Sequence, residues 1–244
     1  MVAARIAKNT YVGMAQGLGV LLEQTGVMYA IKKREKDSRA FHWMHSLSAI
    51  HDMEKLVALD VPWWSYKAID EVSAILDRTE NARVFEYGAG ASTVWLARRA
   101  ASVTSIEHHA GWHARVRQHL DTMTGLAPVD LRLVEPDATK ADDPIYASRK
   151  SGEVGQNFAT YAKSIELSGD APFDVIVIDG RARQACLKHA ASALAPNGVI
   201  VFDNSHRRRY RTAIDSCGLE AHRHRGLTPS LPYPDETTLL FHQS

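Results

Sequence analysis

The stretch VFEYGAGAST, residues 84–93, has the pattern of a short apolar strand, a glycine turn and the start of a helix. Gly88 and Gly90 follow the strand, where glycine gives the backbone access to positive φ and lets a ligand come close. A dinucleotide-binding fingerprint carries a third glycine, and this chain has Thr93 at that position. The stretch therefore predicts a nucleotide-type turn, while Thr93 disfavours a pyrophosphate ligand.

Downstream of this turn, strand and helix patterns alternate along the chain. Strands are indicated by RVFEY, VTSIE, LRLV, FDVIVID and GVIVFD, and helices by STVWLARRA, a segment from Gly111, residues 157–167 and RARQACLKHAASAL. The runs VIVI and VIVF are almost continuous in apolar residues, as in strands that are buried on both faces of a parallel sheet. The alternation predicts a doubly wound α/β fold.

The two ends of the chain depart from this alternation. GLEAHRHRG and TTLLFHQS read as strands, and the loop at 227–236 between them holds three prolines, so we expect an antiparallel pair. The result is a mostly parallel seven-stranded sheet that ends in this pair. The first 60 or so residues look helical and VPWW at 61–64 breaks the chain, so we expect an N-terminal helical arm or cap at 1–64 and the α/β domain at 65–244.

The composition is that of an ordinary globular protein of 244 residues, 45% hydrophobic and 23% charged. Its formal net charge of +1 gives no overall attraction to nucleic acid, which is not an expected partner. Cys186 and Cys217 share no motif spacing, so we expect reduced thiols and a cytoplasmic location. Residues 12–31 are apolar but carry polar interruptions, so no spanning helix is expected. Their basic end leaves a weak peripheral membrane association open beside a simple packing helix.

An acid at the end of the second strand strengthens the nucleotide interpretation. Glu107 lies 17 residues after Gly90, where a carboxylate can accept hydrogen bonds from both hydroxyls of a ribose. The glycine pair and this acid together predict a nucleoside ligand. A tight turn beside an exposed acid would also produce this pattern.

The motif order VFEYGAGAST, VTSIEHH, FDVIVIDG, LAPNGVIVFDN and TTLLF resembles that of the class I S-adenosylmethionine-dependent methyltransferases, over residues 84–241. The resemblance implies a Rossmann-like methyltransferase domain whose glycine loop wraps the methionine moiety of S-adenosylmethionine, with Glu107 on the ribose and His108 beside the adenine. Asp137 would hold the adenine amine, although the proline in VEPDA leaves a simple loop turn open there. The cofactor-binding residues that the resemblance implies are Glu86, Tyr87, Gly88, Ala89, Gly90, Ser92, Thr93, Glu107, His108, Asp137 and Asp179.

Polar residues also end the two most apolar strands. Asp179 ends one, and Asp203 with Asn204 ends the next. Carboxylate and amide oxygens suit Mg²⁺, and the same three positions resemble the metal site of the metal-dependent catechol-type O-methyltransferases. That group carries a lysine where this chain has Ala182, so either a metal with a different base or no metal is expected here. Asp179 could instead hold the methionine amine or a substrate.

Three further groups of residues are candidates for the reaction. We expect Asp179, Asp203 and His206 to be catalytic, with His206 accepting a proton; chance placement of one of twelve histidines is the competing interpretation. A basic cluster could receive an acidic or phosphorylated substrate, or form a solvated helix face. Its members are Arg207, Arg208, Arg209 and Arg211. Four aromatic residues could form a lid or pack in the core, namely Trp63, Trp64, Tyr146 and Tyr161.

These observations favour a methyltransferase that uses S-adenosylmethionine, with or without Mg²⁺, to methylate a hydroxyl or amine of a small-molecule acceptor. A nucleic-acid methyltransferase is a second hypothesis, although VIVID is not followed by the Asn/Asp-Pro-Pro-aromatic sequence common in enzymes that methylate bases. A third hypothesis is a nicotinamide-dependent oxidoreductase, and a fourth is a non-catalytic module that binds the cofactor. The sequence does not decide the oligomeric state, and a homodimer stays open.

Overall fold

The computed structural model describes residues 17, 24–50 and 52–243. Its centre is a seven-stranded sheet in the order β3-β2-β1-β4-β5-β7-β6. The strands are β1 Arg83–Tyr87, β2 Ser102–Glu107, β3 Val129–Leu133, β4 Phe173–Ile178, β5 Leu194–Phe202, β6 Glu220–Gly226 and β7 Asp235–Phe241. Strands β1 to β5 are parallel to one another, and β7 pairs antiparallel with both β5 and β6. The predicted fold class is confirmed.

Nine α-helices occur in the described part of the chain. They are α1 Val27–Arg34, α2 Arg39–Ser46, α3 Met53–Ala58, α4 Tyr66–Arg78, α5 Ala91–Ala97, α6 Ala110–Asp121, α7 Ala159–Lys163, α8 Arg183–Ala190 and α9 Arg208–Asp215. Helix α7 is shorter than the predicted 157–167. The hydroxyls of Ser164 and Ser168 bond carbonyls of the preceding turn, which competes with the continuing helix.

The sheet is buried on both faces, as the apolar runs of β4 and β5 predict. Val175, Val177 and Val199 face one hydrophobic cluster, and Phe85 and Ile178 face the other. Burial of this kind contributes about 2 kcal/mol for each large side chain removed from water. The covered sheet is therefore the rigid support on which the loops at its edge are held.

The N-terminal region packs against the first of these two clusters. Leu56, Val61 and Trp64 are buried in it, and the Trp64 ring meets Trp95 edge to face with centroids 5.7 Å apart. These contacts join residues before and after position 64. The proposed boundary between 1–64 and 65–244 stays a prediction.

Part of the apolar N-terminal stretch lies outside the described residues. Of residues 12–31, only 17 and 24–31 are described, and helix α1 ends on Lys32, Lys33 and Arg34. In the ranges that are described, no helix has both the length and the apolar character needed to cross a membrane. The peripheral membrane association stays a prediction.

The topology places a ligand site at one edge of the sheet. After β1 the chain builds β2 and β3 on one side, and then returns across β1 to start β4 on the other side. In open α/β sheets such a reversal opens a crevice beyond the carboxyl ends of the two diverging strands. The loops after β1, β2, β4 and β5 all reach this edge.

Candidate cofactor and acceptor site

The turn after β1 depends on glycine at position 88. Gly88 has a φ of +100°, a conformation that side chains rarely adopt, and a Cβ there would lie 2.9 Å from the Cα of Gly180. Two backbone hydrogen bonds, Gly88 N to Ile106 O and Asp179 N to Tyr87 O, fix the same crossing. The glycine loop and the loop after β4 therefore touch backbone to backbone.

Hydrogen bonds to the Glu86 side chain fix the position of this turn. Its carboxylate is fully buried and accepts hydrogen bonds from the hydroxyls of Ser92 and Thr93 at 2.5 Å and of Ser105 at 2.6 Å. Burial raises the pKa of Glu86 to about 7, and the three hydroxyls oppose that rise. The carboxylate thus ties the first turn of α5 to β1 and β2.

A cleft of about 500 Å³ opens above the glycine turn, and we call it the cofactor cleft. Its size is within the usual range of small-molecule sites. It is lined by Met53, Leu56, Trp63, Gly88, Ala89, Gly90, Ala91, Ser92, Glu107, His108, His109, Trp112, Lys150, Glu153, Asp179 and Arg181. A Cβ on Gly90 would meet no atom within 4 Å, so the loop faces open space there.

Glu107 presents an unused acceptor to the cofactor cleft. Its Oε1 accepts the backbone N–H groups of His108 and His109, both at 2.8 Å. Within the described residues, Oε2 makes no hydrogen bond. An oriented carboxylate with one free oxygen is the arrangement that the ribose prediction requires.

His108 lies beside Glu107 with two unsatisfied ring nitrogens. Both nitrogens are covered from solvent and have no hydrogen-bond partner in the described part of the chain. Nδ1 lies 2.8 Å from Glu107 Oε1, but this contact lacks hydrogen-bond geometry and is an electrostatic one only. Buried polar atoms normally have partners, so the orphaned imidazole fits a site that holds a polar ligand.

Four of the sequence-predicted cofactor residues do not line the cofactor cleft, and three of them hold the glycine turn instead. Glu86 and Thr93 bond to each other beneath the turn. The Tyr87 side chain is buried in the hydrophobic cluster that contains Phe85 and Ile178. Its hydroxyl donates a hydrogen bond of 2.7 Å to the carbonyl of Ala162. Their geometry is that of residues that position the loop rather than touch a ligand.

Asp137 also lies away from the cleft lining. Its carboxylate accepts the hydroxyl of Thr160 at 2.5 Å and the Thr160 backbone N–H at 3.1 Å. It therefore satisfies the first turn of α7. This geometry agrees with the loop turn that the proline in VEPDA left open, and the adenine contact stays a prediction.

The predicted metal site contains a cation from the chain itself. Arg183 lies in the first turn of α8 and donates Nη2 to Asp179 Oδ1 at 2.6 Å, while Nη1 lies 3.9 Å from Asp203 Oδ2. The same guanidinium donates to the backbone carbonyls of Asp179 and Asp203. Because a guanidinium already lies between the two carboxylates, a Mg²⁺ ion on Asp179, Asp203 and Asn204 does not fit this geometry.

Asp203 and Asn204 also have partners within the chain. Asp203 is buried and accepts the Thr237 hydroxyl at 2.9 Å; burial and the nearby charge of Asp179 raise its pKa well above the usual range. Asn204 donates Nδ2 to Asp235 at 2.9 Å. Across the described ranges, no group of three or more His, Cys, Asp or Glu side chains could hold a metal ion.

His206 is joined to an acid that the sequence did not single out. Its Nδ1 lies 2.7 Å from Asp235 Oδ1, and the imidazole is about half exposed while Asp235 is nearly buried. His206 is not among the residues that line the cofactor cleft. Its catalytic role stays a prediction.

The aromatic residues proposed as a lid have different positions. Trp63 lines the cofactor cleft, whereas Trp64 and Tyr161 are buried in the core. Tyr146 shares a hydrogen bond of 2.9 Å with His189 Nε2. Of these four aromatic residues, Trp63 alone is placed to cover a ligand.

Sequence reasoning missed part of the cleft wall. Trp112 donates its indole N–H to the carbonyl of Ala89 at 2.7 Å and so holds the glycine loop. Glu153 also lines the cleft and accepts a hydrogen bond of 2.5 Å from Arg181 Nε. Trp112 could have been found from the sequence, because a tryptophan in the first turn of the helix after Glu107 is close to the predicted ligand. Glu153 lies in the long polar insert, which has no pattern that singles it out.

Comparison with known proteins agrees with this geometry. Residues 85–205 match the model of a protein family described as a methyltransferase domain. Among solved structures, an O-methyltransferase from Bacillus cereus in complex with S-adenosylhomocysteine is similar, with a TM-score of 0.57 and 18% identity over 81% of this chain and 90% of that one. None of the curated proteins matches the sequence.

Two further solved structures are similar at the level of the fold. A methyltransferase-like protein from Silicibacter pomeroyi has a TM-score of 0.51 and 20% identity, over 73% of this chain and 87% of that one. An rRNA methylase from Streptococcus thermophilus has a TM-score of 0.51 and 12% identity, over 72% and 96%. At such identities the likeness extends to the fold alone.

The strand order, the glycine turn and the acid after β2 define a class I methyltransferase fold. Residues 85–205 therefore form a methyltransferase domain, which confirms the resemblance to the class I S-adenosylmethionine-dependent methyltransferases seen in the motifs.

Proposed function

We propose that the protein methylates a hydroxyl group of a small-molecule acceptor, with an amine as the second candidate nucleophile. The observation that carries the proposal is that Glu107 and Asp179 line one cleft and each has an oxygen without a hydrogen bond in the described residues. Glu107 would hold the cofactor and Asp179 would face the acceptor.

The residues of the cleft fit S-adenosylmethionine. The open space at Gly90, the free Oε2 of Glu107 and the orphaned ring nitrogens of His108 all favour a polar nucleoside ligand. Trp63, Met53 and Leu56 add an apolar wall from the N-terminal region. When bound there, S-adenosylmethionine supplies an already activated methyl group, so the protein mainly has to align the acceptor and exclude water.

The chain must also accept the proton of the acceptor hydroxyl. Arg183 binds Asp179 Oδ1 and leaves Oδ2 without a partner among the described residues. Burial raises the pKa of Asp179 against the lowering effect of Arg183. A carboxylate whose pKa is raised toward neutrality is a better base, so we assign the proton to Asp179 Oδ2.

The proposal does not use a metal ion, because Arg183 supplies the positive charge beside Asp179. His206 with Asp235 is a second candidate base, although it does not line the cleft. The proposal also includes a cytoplasmic location, where the free thiols of Cys186 and Cys217 would stay reduced. A homodimer remains a prediction.

Asp179→Asn tests the proposal. Calorimetric titration with S-adenosylhomocysteine gives cofactor affinity, and release of S-adenosylhomocysteine over a panel of hydroxyl- and amine-bearing acceptors gives turnover. We expect the variant to lose about 10²- to 10⁴-fold in kcat while its affinity for S-adenosylhomocysteine stays nearly unchanged. A large loss of that affinity would instead assign Asp179 to the methionine amine.

Two other results of the same titration would point to the competing hypotheses. Tight binding of NAD without binding of S-adenosylhomocysteine would favour an oxidoreductase. Binding of S-adenosylhomocysteine with no turnover on any acceptor of the panel would favour a non-catalytic module.

A further inference from the structure

A second, smaller cavity of about 110 Å³ lies beside the cofactor cleft, and we call it the basic cavity. Its charged lining consists of Arg149, Lys150, Arg181, Arg183, Arg207 and Arg209. The lining contains no Asp or Glu among the described residues. Lys150 and Arg181 line both spaces, so the basic cavity adjoins the cleft on the side of Asp179.

Only part of this positive charge is compensated by the protein. Glu153 pairs with Arg181 at 2.5 Å and Lys150 at 3.7 Å, and Asp179 pairs with Arg183. Arg149, Arg207 and Arg209 have no carboxylate within 4 Å anywhere in the described part of the chain. The positive charges of three arginines around one small cavity repel each other, and a bound anion would compensate this repulsion.

The position of Arg209 supports an anion site. Gln184 donates to the Arg209 carbonyl at 2.6 Å, and the Arg209 guanidinium lies over the Tyr210 ring with its Nη2 3.0 Å from the Tyr210 hydroxyl. Nε of Arg209 is covered from solvent and has no hydrogen-bond partner within the described residues. The guanidinium is thus held in place with a donor left unused.

We propose that the basic cavity binds a doubly charged oxyanion group of the methyl acceptor, of which a phosphate monoester is the reference chemistry. The inference rests on the proposed function, because the hydroxyl to be methylated would then extend through the shared wall at Arg181 toward Asp179. Arginine matches phosphate oxygens bidentately. Three unpaired guanidinium groups favour a dianion over a single carboxylate.

The neighbouring arginines provide a matched control. Arg208 and Arg211 belong to the same run of sequence, but both are exposed and neither lines the basic cavity. Arg207→Gln/Arg209→Gln therefore removes two charges inside the cavity. Arg208→Gln/Arg211→Gln removes two charges from the adjoining surface and has the same net charge.

The test is a calorimetric titration of inorganic phosphate into the full chain saturated with S-adenosylhomocysteine. We expect the wild type and the Arg208→Gln/Arg211→Gln variant to bind phosphate equally, and the Arg207→Gln/Arg209→Gln variant to bind at least about tenfold more weakly. Acetate should bind more weakly than phosphate to the wild type. Circular dichroism melting of both variants checks that each is folded.

Several outcomes would overturn the inference. These are no phosphate binding by the wild type at millimolar concentration, equal losses in the two variants, or acetate binding as tightly as phosphate. A single-stranded RNA oligonucleotide that binds far more tightly than phosphate, and is weakened equally by both variants, would show a nucleic-acid surface instead. Binding of S-adenosylhomocysteine is measured first, so that its absence counts against the proposed function and absent phosphate binding counts against this inference alone.

Discussion

The two halves of the ligand-binding edge use acidic residues in opposite ways. At the ends of β1 and β2, Glu107 is oriented by two backbone N–H groups and keeps one oxygen free of hydrogen bonds to the described residues. At the ends of β4 and β5, Asp179 and Asp203 share one cation of the chain, the guanidinium of Arg183, at 2.6 and 3.9 Å. The acid is therefore oriented by backbone N–H groups on one side of the edge and by a guanidinium of the chain on the other.

This difference shows that the chemical role of an acid at a strand end depends on which groups contact its carboxylate. Glu86 and Asp203 are both buried carboxylates at this edge, but Glu86 bonds hydroxyl groups and Asp203 lies beside a guanidinium. Burial raises the pKa of both carboxyls; three hydroxyls oppose the rise at Glu86, whereas at Asp203 the charge of Asp179 adds to it and Arg183 opposes it. The following substitutions test this contrast, from the largest expected effect to the smallest.

Arg183→Met should lower the free energy of unfolding by about 3–5 kcal/mol, because removing one partner of a buried ion pair leaves the other charge uncompensated. Urea denaturation at neutral pH measures the change. Arg183→Lys keeps the charge but loses the forked hydrogen bonds to the carbonyls of Asp179 and Asp203, so it should lie between the wild type and Arg183→Met. A loss below about 1 kcal/mol in Arg183→Met would show that the two acids do not depend on Arg183.

Glu86→Gln should remove a pH dependence of stability. Folding raises the pKa of Glu86 from 4.5 to about 7, so the stability linked to its proton is fully present below about pH 4.5 and is lost as the pH rises through about 7. The shift corresponds to about 3 kcal/mol at most. Thermal melting of the wild type between about pH 5 and about pH 8 should show a decline that the variant lacks; parallel curves would contradict the raised pKa.

Glu107→Gln should weaken binding of S-adenosylhomocysteine by about 10- to 100-fold, since a charged acceptor of ribose hydroxyls is worth about 1–3 kcal/mol. Glutamine keeps the size of the side chain and can still accept the N–H groups of His108 and His109. Glu135→Gln, on the exposed segment after β3, is the matched control. Equal affinity in wild type and Glu107→Gln would place the nucleoside elsewhere.

Mg²⁺ should have the smallest effect, because Arg183 already occupies the space between Asp179 and Asp203. We expect millimolar MgCl₂ to leave the melting temperature unchanged at matched ionic strength, and EDTA to leave turnover unchanged. Stabilisation by Mg²⁺ that Asp203→Asn abolishes would show that the guanidinium can give way to a metal ion.

Most of the fold could be predicted from the sequence. The runs VIVI and VIVF and the turn at Gly88 are local signals, and burial on both faces and the glycine conformation follow directly from them. The antiparallel C-terminal pair was likewise expected from its proline-rich loop. The insertion of β7 between β5 and β6 had no local signal.

The site was predicted less completely, since side-chain direction depends on tertiary contacts. The spacing placed Glu107 at the cleft, but it could not show that Glu86 turns inward to three hydroxyls or that Asp137 turns to Thr160. No motif singled out Arg183. Its insertion between two acids depends on how α8 packs against β4 and β5, which no motif spacing encodes.

The contrast between Gly88 and Gly90 has a consequence for redesign of the protein. A methyl group on Gly88 would collide with the backbone of Gly180, and one on Gly180 would lie 1.9 Å from the Tyr161 hydroxyl oxygen, whereas one on Gly90 would meet nothing within 4 Å. Engineering for bulkier or smaller cofactor analogues can therefore vary position 90. At positions 88 and 180 the two loop backbones pack directly against each other. Even alanine at either position would push the loop after β1 away from the loop after β4.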